Sequence, residues 1–134
     1  MKAFRLALLA LVVALPALAT PVPLPQEKHI NDELRAGFAG DILRNVCPSI
    51  SARMFVVMGR LYDLKSYAEA QGYSRDDWNA FRSDPAQKAR LKAEAEAYLE
   101  KAGAKPGDVE SYCQVGRDEI AKGTALGTLI RSSK

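Results

Sequence analysis

The sequence predicts an all-α protein, a compact bundle of five to six helices held together by one disulfide. Three observations support this prediction. Apolar residues recur at spacings of three and four along most of the chain. Ser, Asp, Asn and Gly stand where such helices would begin and end. No segment alternates convincingly between apolar and polar residues, so the sequence predicts no strand.

The first nineteen residues have the layout of a cleavable secretory signal peptide. Lys2 and Arg5 precede a run of ten apolar residues, which is too short to span a bilayer of about 30 Å. A proline follows, and the small residues Ala17 and Ala19 match the A-x-A pattern for cleavage before Thr20. We expect cleavage between Ala19 and Thr20 rather than an uncleaved anchor. The mature protein would then lie in the periplasm or outside the cell, reached by the general secretory route, with no stable membrane span.

Composition narrows the function of the predicted mature chain. Removing Lys2 and Arg5 leaves 17 basic and 16 acidic residues in the remaining 115. No basic stripe is visible, so we expect no nucleic-acid partner. The length suits a single domain with its own core. We therefore divide the chain into a signal peptide (1–19), a Pro-rich extended lead-in (20–30) and one helical domain (31–134).

Two cysteines, Cys47 and Cys113, predict one disulfide in an oxidising compartment, the alternative being two buried thiols. They do not form a C-x-x-C pair, which argues against a thiol–disulfide exchange catalyst. Disulfide-bonded Cα atoms lie about 4.4–6.8 Å apart. The helix that carries Cys113 should therefore begin against the corner that follows the first helix.

The first helix is expected over Asp32–Val46, with Asn31 as its N-cap. Gly37 and Gly40 within it indicate either a closely packed neighbour or a bend. The apolar face of this helix consists of Ile30, Leu34, Phe38 and Ile42.

The second helix is expected to start at a Ser49 or Ser51 cap and to run to Gln71, with Gly72 as its left-handed end. It carries the longest apolar stripe, so the sequence predicts that it is the central helix. The residues of the stripe are Ile50, Met54, Val57, Leu61, Leu64 and Ala68.

The third helix should begin at a capping box of Ser74 and Asp77, with Tyr73 packed on Trp78, and should end near Arg82. A fourth helix follows Asp84-Pro85 and ends at Gly103. Its many Ala, Lys, Glu and Gln residues indicate a largely exposed helix.

The chain should finish with two further helices. Asp108 is the expected cap of Val109–Lys122, which ends at Gly123. Thr124 should cap a short last helix over Ala125–Arg131, whose apolar residues are Leu126, Leu129 and Ile130.

Five stretches of this chain resemble an uncharacterised family of small exported bacterial proteins, known only as a domain of unknown function. They are Glu27-Lys28-His29-Ile30-Asn31-Asp32, Cys47-Pro48-Ser49-Ile50-Ser51-Ala52-Arg53, Pro106-Gly107-Asp108, Ser111-Tyr112-Cys113 and Gly116-Arg117. The resemblance implies export and an all-helical domain over nearly the whole mature chain. It implies no activity, substrate or catalytic residue.

Candidate catalytic residues are few. His29 is the only histidine and precedes the first predicted helix, where no third group would orient it as a base. We expect no metal and no cofactor, because the cysteines are committed to a disulfide. Paired carboxyls for glycan hydrolysis remain an alternative, with Glu33 and Asp41 on the first helix as one pair. Asp76 and Asp77 are explained as first-turn residues of a helix.

Two arginines would lie near the disulfide. Arg53 and Arg117 are candidates for a small anionic-ligand site, because guanidinium groups match carboxylate and phosphate. The alternative is a structural ion pair, for example with Asp41 or Asp118. An anion site would require the two arginines to converge with no carboxylate between them.

The function that the sequence favours is a non-catalytic accessory or protein-interaction module of the bacterial envelope, with an envelope protein as partner. A surface patch of Tyr73, Trp78 and Phe81 would supply its binding site if these aromatic residues were exposed together. A small carboxylate-dependent hydrolase and the anionic-ligand binder near Arg53 and Arg117 are the alternatives.

Overall fold

The computed structural model of the chain describes residue 14 and residues 21–133. Apart from residue 14, the predicted signal peptide lies outside the described residues, and so does its cleavage point between Ala19 and Thr20. The described part of the chain contains six α-helices, two short strands and a 3₁₀ turn at Leu24–Gln26. In chain order the elements are α1 (Lys28–Val46), β1 (Ile50–Ala52), α2 (Met54–Ala70), α3 (Arg75–Ser83), α4 (Pro85–Lys101), α5 (Val109–Lys122), α6 (Ala125–Leu129) and β2 (Ile130–Ser132).

Helix α1 begins four residues earlier than the sequence predicts. Its cap is Glu27, whose carboxylate accepts a hydrogen bond from the Ile30 backbone N–H at 2.6 Å. Asn31, the predicted cap, is instead a buried residue within α1. Its side-chain amide donates to the carbonyls of Leu24 and Glu27 and accepts from Arg90. Asn31 thereby ties α1 to the 3₁₀ turn and to α4, and the extended lead-in is shorter than expected.

The central helix is α1, and the prediction that α2 is central is wrong. Helix α1 packs against α2, α4, α5 and α6. The small buried residues Ala36, Ala39 and Gly40 allow this close approach. A Cβ added at Gly40 would lie 3.5 Å from side-chain atoms of Leu126 and Ile130, an ordinary packing distance, so α6 and β2 pack directly beside this position.

Helix α2 has only Leu64 and Ala68 buried, both near its C-terminal end. Of the other residues of its predicted stripe, Ile50 is buried in β1, Val57 and Leu61 are half-buried, and Met54 is exposed. Helix α4 is exposed at most of its positions, as expected, and it buries Leu91, Ala95 and Leu99 against the rest of the bundle. The apolar side of α1 is therefore covered mainly by α4 and α6, and α2 stays at the edge of the bundle.

The predicted disulfide between Cys47 and Cys113 is confirmed, with a Cα–Cα distance of 5.2 Å. Cys47 follows the last residue of α1, and Cys113 lies in the second turn of α5. The beginning of α5 therefore rests on the corner after α1, as the cysteine positions predict. The disulfide lies inside the larger of two clusters of buried apolar residues, and the smaller cluster surrounds Trp78.

The predicted all-α fold class is confirmed, and the described residues add two short strands that the sequence did not predict. Helix α6 ends at Leu129, and Ile130–Ser132 pairs antiparallel with Ile50–Ala52. Ile50 and Ile130 are both buried, and Ser51 and Arg131 between the flanking strand residues are exposed. Three residues per strand are too few for an alternating pattern to stand out from the neighbouring helices.

Most predicted helix ends are confirmed. Ser74 and Asp77 form a reciprocal capping box at the start of α3. Side chains of Asp84, Asp108 and Thr124 cap α4, α5 and α6. Local side-chain chemistry therefore positions the helix boundaries in the second half of the chain. Glycines with positive φ follow α2, α4 and α5 at positions 72, 103 and 123.

Candidate interaction surface

The outer side of α2 carries four large apolar side chains that nothing in the described chain covers. Phe55 is 97% exposed, Tyr62 72%, Met58 61% and Met54 55%. We call these four residues the α2 apolar face. Single exposed apolar residues are common on protein surfaces, but a contiguous group of this size is typical of an interaction site.

The α2 apolar face forms through helix periodicity. Met54, Met58 and Tyr62 are spaced by four residues, and Phe55 lies seven residues before Tyr62. Residues separated by four or seven positions share one side of an α-helix. The opposite side of α2 uses Leu64 and Ala68 to contact the bundle. Helix α2 therefore directs apolar side chains both towards the bundle and away from it.

A groove of about 410 Å³ lies between α1 and α2, on the inner side of the α2 apolar face. An ion pair closes one wall, with the Arg60 guanidinium 2.8 Å from the Glu33 carboxylate. Arg60 also donates to the Thr128 hydroxyl at 2.8 Å, which links α2 to α6. The groove floor is apolar and consists of Leu34, Phe38, Val57, Leu61, Leu64 and Leu129.

The groove contains both carboxyls of the hydrolase alternative, since Glu33 and Asp41 line it. Each is paired with an arginine, Glu33 with Arg60 and Asp41 with Arg44. Glycoside hydrolysis needs two carboxyls that flank the scissile bond. Here an arginine engages each carboxylate, so the geometry gives the hydrolase alternative no support.

The structure places Arg53 and Arg117 on different partners. Arg53 donates to the backbone carbonyl of Thr128 at 3.2 Å. Arg117 forms an ion pair with Glu110 on its own helix and also donates to Gln114, so its described partners differ from that of Arg53. Because a carboxylate already occupies the guanidinium of Arg117, the condition for an anion site between the two arginines is not met.

The predicted aromatic patch is also not on the surface. Tyr73, Trp78 and Phe81 are buried together in the smaller apolar cluster, where α3 meets the 3₁₀ turn and α4. Their burial follows from the Tyr73–Trp78 packing that the capping box of α3 imposes. The exposed apolar surface lies one helix earlier, on α2.

His29 has a structural environment. Its ring meets that of Tyr67 edge to face, with centroids 4.6 Å apart. The Tyr67 hydroxyl in turn donates to the Glu27 carboxylate at 3.1 Å. These contacts fasten the start of α1 to the end of α2. Within residue 14 and residues 21–133, no group of His, Cys, Asp or Glu side chains could hold a metal ion.

The structure contains one buried carboxylate that the sequence did not predict. Glu119 on α5 is 4% exposed and accepts hydrogen bonds from the Tyr98 hydroxyl, 3.0 Å away, and from the Thr124 hydroxyl. Burial raises the pKa of Tyr98, and its hydrogen bond to the Glu119 carboxylate raises that pKa further. Every oxygen of Glu119 has a partner, so the cluster joins α4, α5 and α6 rather than facing a ligand.

Gly59 marks the α2 apolar face in a second way. It lies inside α2, where glycine costs about 1 kcal/mol relative to alanine. A Cβ added there would meet nothing within 4 Å. In the described chain no atom of another element lies next to this position, whereas Leu126 and Ile130 lie next to Gly40.

The start of α2 carries a sequence signal for the α2 apolar face that a single apolar stripe does not account for. Five consecutive apolar residues, Met54 to Met58, begin α2. Successive helix positions point about 100° apart, so such a run cannot all face one neighbour. A run of this kind indicates either a fully enclosed helix or an exposed apolar face.

None of the described helices has the length and apolar character needed to cross a membrane. A family model described as "Family of unknown function (DUF5333)" matches residues 22–131. No curated protein and no solved structure matches the chain.

Proposed function

We propose a role for this chain, which belongs to the DUF5333 family of unknown function, as a non-catalytic protein-interaction module of the bacterial envelope. The observation that carries the proposal is the α2 apolar face, on which Phe55 is almost fully exposed. Leaving several large apolar side chains in water forgoes about 25 cal/mol for each Å² of apolar surface that burial would remove. A protein partner that covers the face recovers this free energy.

The architecture suits such a module. The disulfide and the α1-centred bundle hold the inner side of α2 in place, through Leu64, Ala68 and the Arg60–Glu33 ion pair. A rigid helix that presents apolar side chains in fixed positions loses little conformational entropy when it binds. Helices of this kind pack onto partner helices or into apolar grooves.

Export to the periplasm or the cell exterior is part of the proposal. The Cys47–Cys113 disulfide supports it, because disulfides persist in oxidising compartments. The arrangement of residues 1–19 supports it independently, since basic, apolar and small residues follow in the order of a signal peptide.

Site-specific photo-crosslinking in intact cells tests the proposal. A photoreactive phenylalanine analogue replaces Phe55 in one variant and exposed Ala93 on α4 in a control variant. We expect a discrete protein adduct from position 55 and none from position 93. Equal labelling at both positions, or no adduct from position 55, would contradict a protein-interaction role for the α2 apolar face.

A further inference from the structure

The occupant of the α2 apolar face can be argued from the shape and charge of α2 itself. Phe55, Gly59, Tyr62 and Ser66 follow one another along the outer side at the spacing of helix neighbours. Their sizes alternate from large to small to large to small. A surface that alternates in this way fits a copy of itself running in the opposite direction, because each large side chain then faces a small one.

We propose that the α2 apolar face binds a second copy of this chain in an antiparallel, two-fold symmetric dimer. This inference rests on the proposed function and names the partner of the same surface. In the dimer, Tyr62 lies over Gly59 of the second copy, and Phe55 lies over Ser66 of the second copy. Two-fold symmetry repeats each contact, which is the isologous arrangement found in most soluble homodimers.

The charges at the two ends of α2 agree with the antiparallel arrangement. Arg53 and Arg131 are exposed near its N-terminal end, and neither contacts a carboxylate among the described residues. Asp63 and Glu69 are exposed towards its C-terminal end, and neither has an ion-pair partner in residues 21–133. Half-buried Lys65 lies between these two acids. An antiparallel pair places the basic end of one copy beside the acidic end of the other, whereas a parallel pair would place like charges together.

The area is compatible with a dimer of moderate affinity. The four side chains of the α2 apolar face expose on the order of 500 Å² in each copy. Stable interfaces bury about 800 Å² per partner. The remaining area would come from Gly59, Ser66 and the polar residues at the two ends of α2. The dimer would also explain why residue 59 is glycine, because the absence of a side chain there lets the Tyr62 ring of the second copy approach the helix.

Sedimentation equilibrium of the purified, disulfide-bonded protein tests the dimer. We expect wild type to dimerise with concentration and Phe55→Ser to raise the dissociation constant about tenfold or more. Val109→Ser, which removes an exposed apolar side chain from α5, should leave the constant unchanged. A wild-type protein that remains monomeric at millimolar concentration would overturn the inference.

A charge-exchange experiment tests the antiparallel orientation of the two α2 helices through a gain of self-association as well as a loss. Glu69→Lys and Arg131→Glu should each weaken self-association, because each places like charges together twice in its own dimer. An equimolar mixture of the two variants should dimerise more tightly than either alone, since opposite charges then meet at both ends. A mixture no tighter than its components would overturn the antiparallel arrangement. The control Lys92→Glu on exposed α4 should behave as wild type.

A photoreactive phenylalanine analogue in place of Tyr62 maps the register. Trypsin releases Gly59 of the second copy within the peptide Met54–Arg60, and we expect the adduct there. An adduct on residues 61–65 would indicate parallel helices and overturn the inference. Should position 55 label only a different protein in cells while the purified chain stays monomeric, the dimer fails and the proposed function stands. Labelling of lipid alone would overturn both.

Discussion

A glycine-to-alanine pair gives the most direct test of how tightly the carboxyl-terminal elements are packed. Gly127 is a buried residue of α6, next to the end of α5. A Cβ placed on Gly127 would lie 2.0 Å from the carbonyl oxygen of Glu119 and 2.8 Å from the backbone nitrogen of Ile120. Both neighbours are backbone atoms inside a helix, so neither can rotate away. Gly127→Ala therefore forces α6 to move away from α5.

The size of the effect follows from the contacts that such a movement would break. Thr124 donates its backbone N–H to the Glu119 carbonyl at 3.3 Å, and its hydroxyl accepts from the Gly127 N–H at 2.9 Å and donates to the Glu119 carboxylate. Each of these hydrogen bonds contributes about 1 kcal/mol, and overpacking costs about 1–3 kcal/mol more. The higher helix propensity of alanine offsets about 1 kcal/mol. We expect Gly127→Ala to lower the free energy of unfolding by about 3–5 kcal/mol.

Guanidinium unfolding of the oxidised protein measures this difference, with Gly59→Ala as the matched control. Gly59 is also inside a helix, but an added Cβ there meets open space. Gly59→Ala should raise the free energy of unfolding of the monomer by up to about 1 kcal/mol. A Gly127→Ala protein within about 0.5 kcal/mol of wild type, the scatter expected for an unconstrained surface position, would refute the close packing of α6 on α5.

Three further predictions concern the disulfide, the buried tyrosine and the chain terminus. Replacing Cys47 and Cys113 by serine should lower the free energy of unfolding by about 4 kcal/mol, because the bond closes a loop with a sequence separation of 66 residues; denaturant unfolding of the double variant checks this. The raised pKa of Tyr98 stabilises the fold fully below pH 10.0, the ordinary value of the group, and this stabilisation is lost as the pH rises towards the folded pKa. The free energy of unfolding should therefore fall above pH 10, and it should fall less steeply in Tyr98→Phe; equal slopes in the two proteins would contradict the assignment. Mass spectrometry of the exported protein should give a chain that starts at Thr20 and weighs two hydrogens less than its dithiol form, and a full-length, reduced product would contradict both expectations.

Local chemistry made the helix boundaries in the second half of the chain predictable. The Ser74–Asp77 capping box, the cap at Asp108 and the left-handed Gly123 each depend on residues within one helical turn. Such interactions are visible in sequence because they involve neighbours along the chain. The disulfide was predictable for a different reason, since a chain with two cysteines can form only one intramolecular pair.

The features that the sequence did not predict depend on contacts between elements that are distant along the chain. The start of α1 depends on Asn31, whose side chain bonds backward to Leu24 and across to Arg90 on α4. Pairing of β1 with β2 depends on two three-residue segments about eighty residues apart. Burial of Glu119 depends on Tyr98 and Thr124, which belong to other elements. Each of these partners is distant or follows a turn, so no local pattern signals the contact.

The position of α2 at the edge of the bundle follows from the size of its side chains. An apolar stripe predicts that a helix is buried, but the position at the centre goes to the helix whose residues allow the closest approach. Helix α1 carries the small buried residues Ala36, Ala39 and Gly40, beside which neighbouring elements pack closely. The first half of α2 carries Met54, Phe55 and Met58, and these large side chains remain exposed. The length of an apolar stripe therefore indicates how much apolar surface a helix has to bury. The size of its side chains determines whether neighbouring elements of the same chain can bury that surface.

Natural chains depart from local consistency mainly where function requires it. In this chain the departures coincide at α2: a run of five apolar residues that one neighbour cannot cover, an interior glycine without an internal contact, and exposed charges near both ends that have no ion-pair partner among the described residues. Monomer stability alone would favour alanine at Gly59, and it would be indifferent to a polar residue at Phe55, which is as exposed in the folded chain as in the unfolded one. Both replacements would remove features that fit α2 to a partner. If the α2 apolar face binds a second copy, Gly59→Ala should stabilise the monomer and weaken the dimer together, and Phe55→Ser should weaken the dimer with little change in monomer stability, a combination that a purely structural role of α2 does not produce.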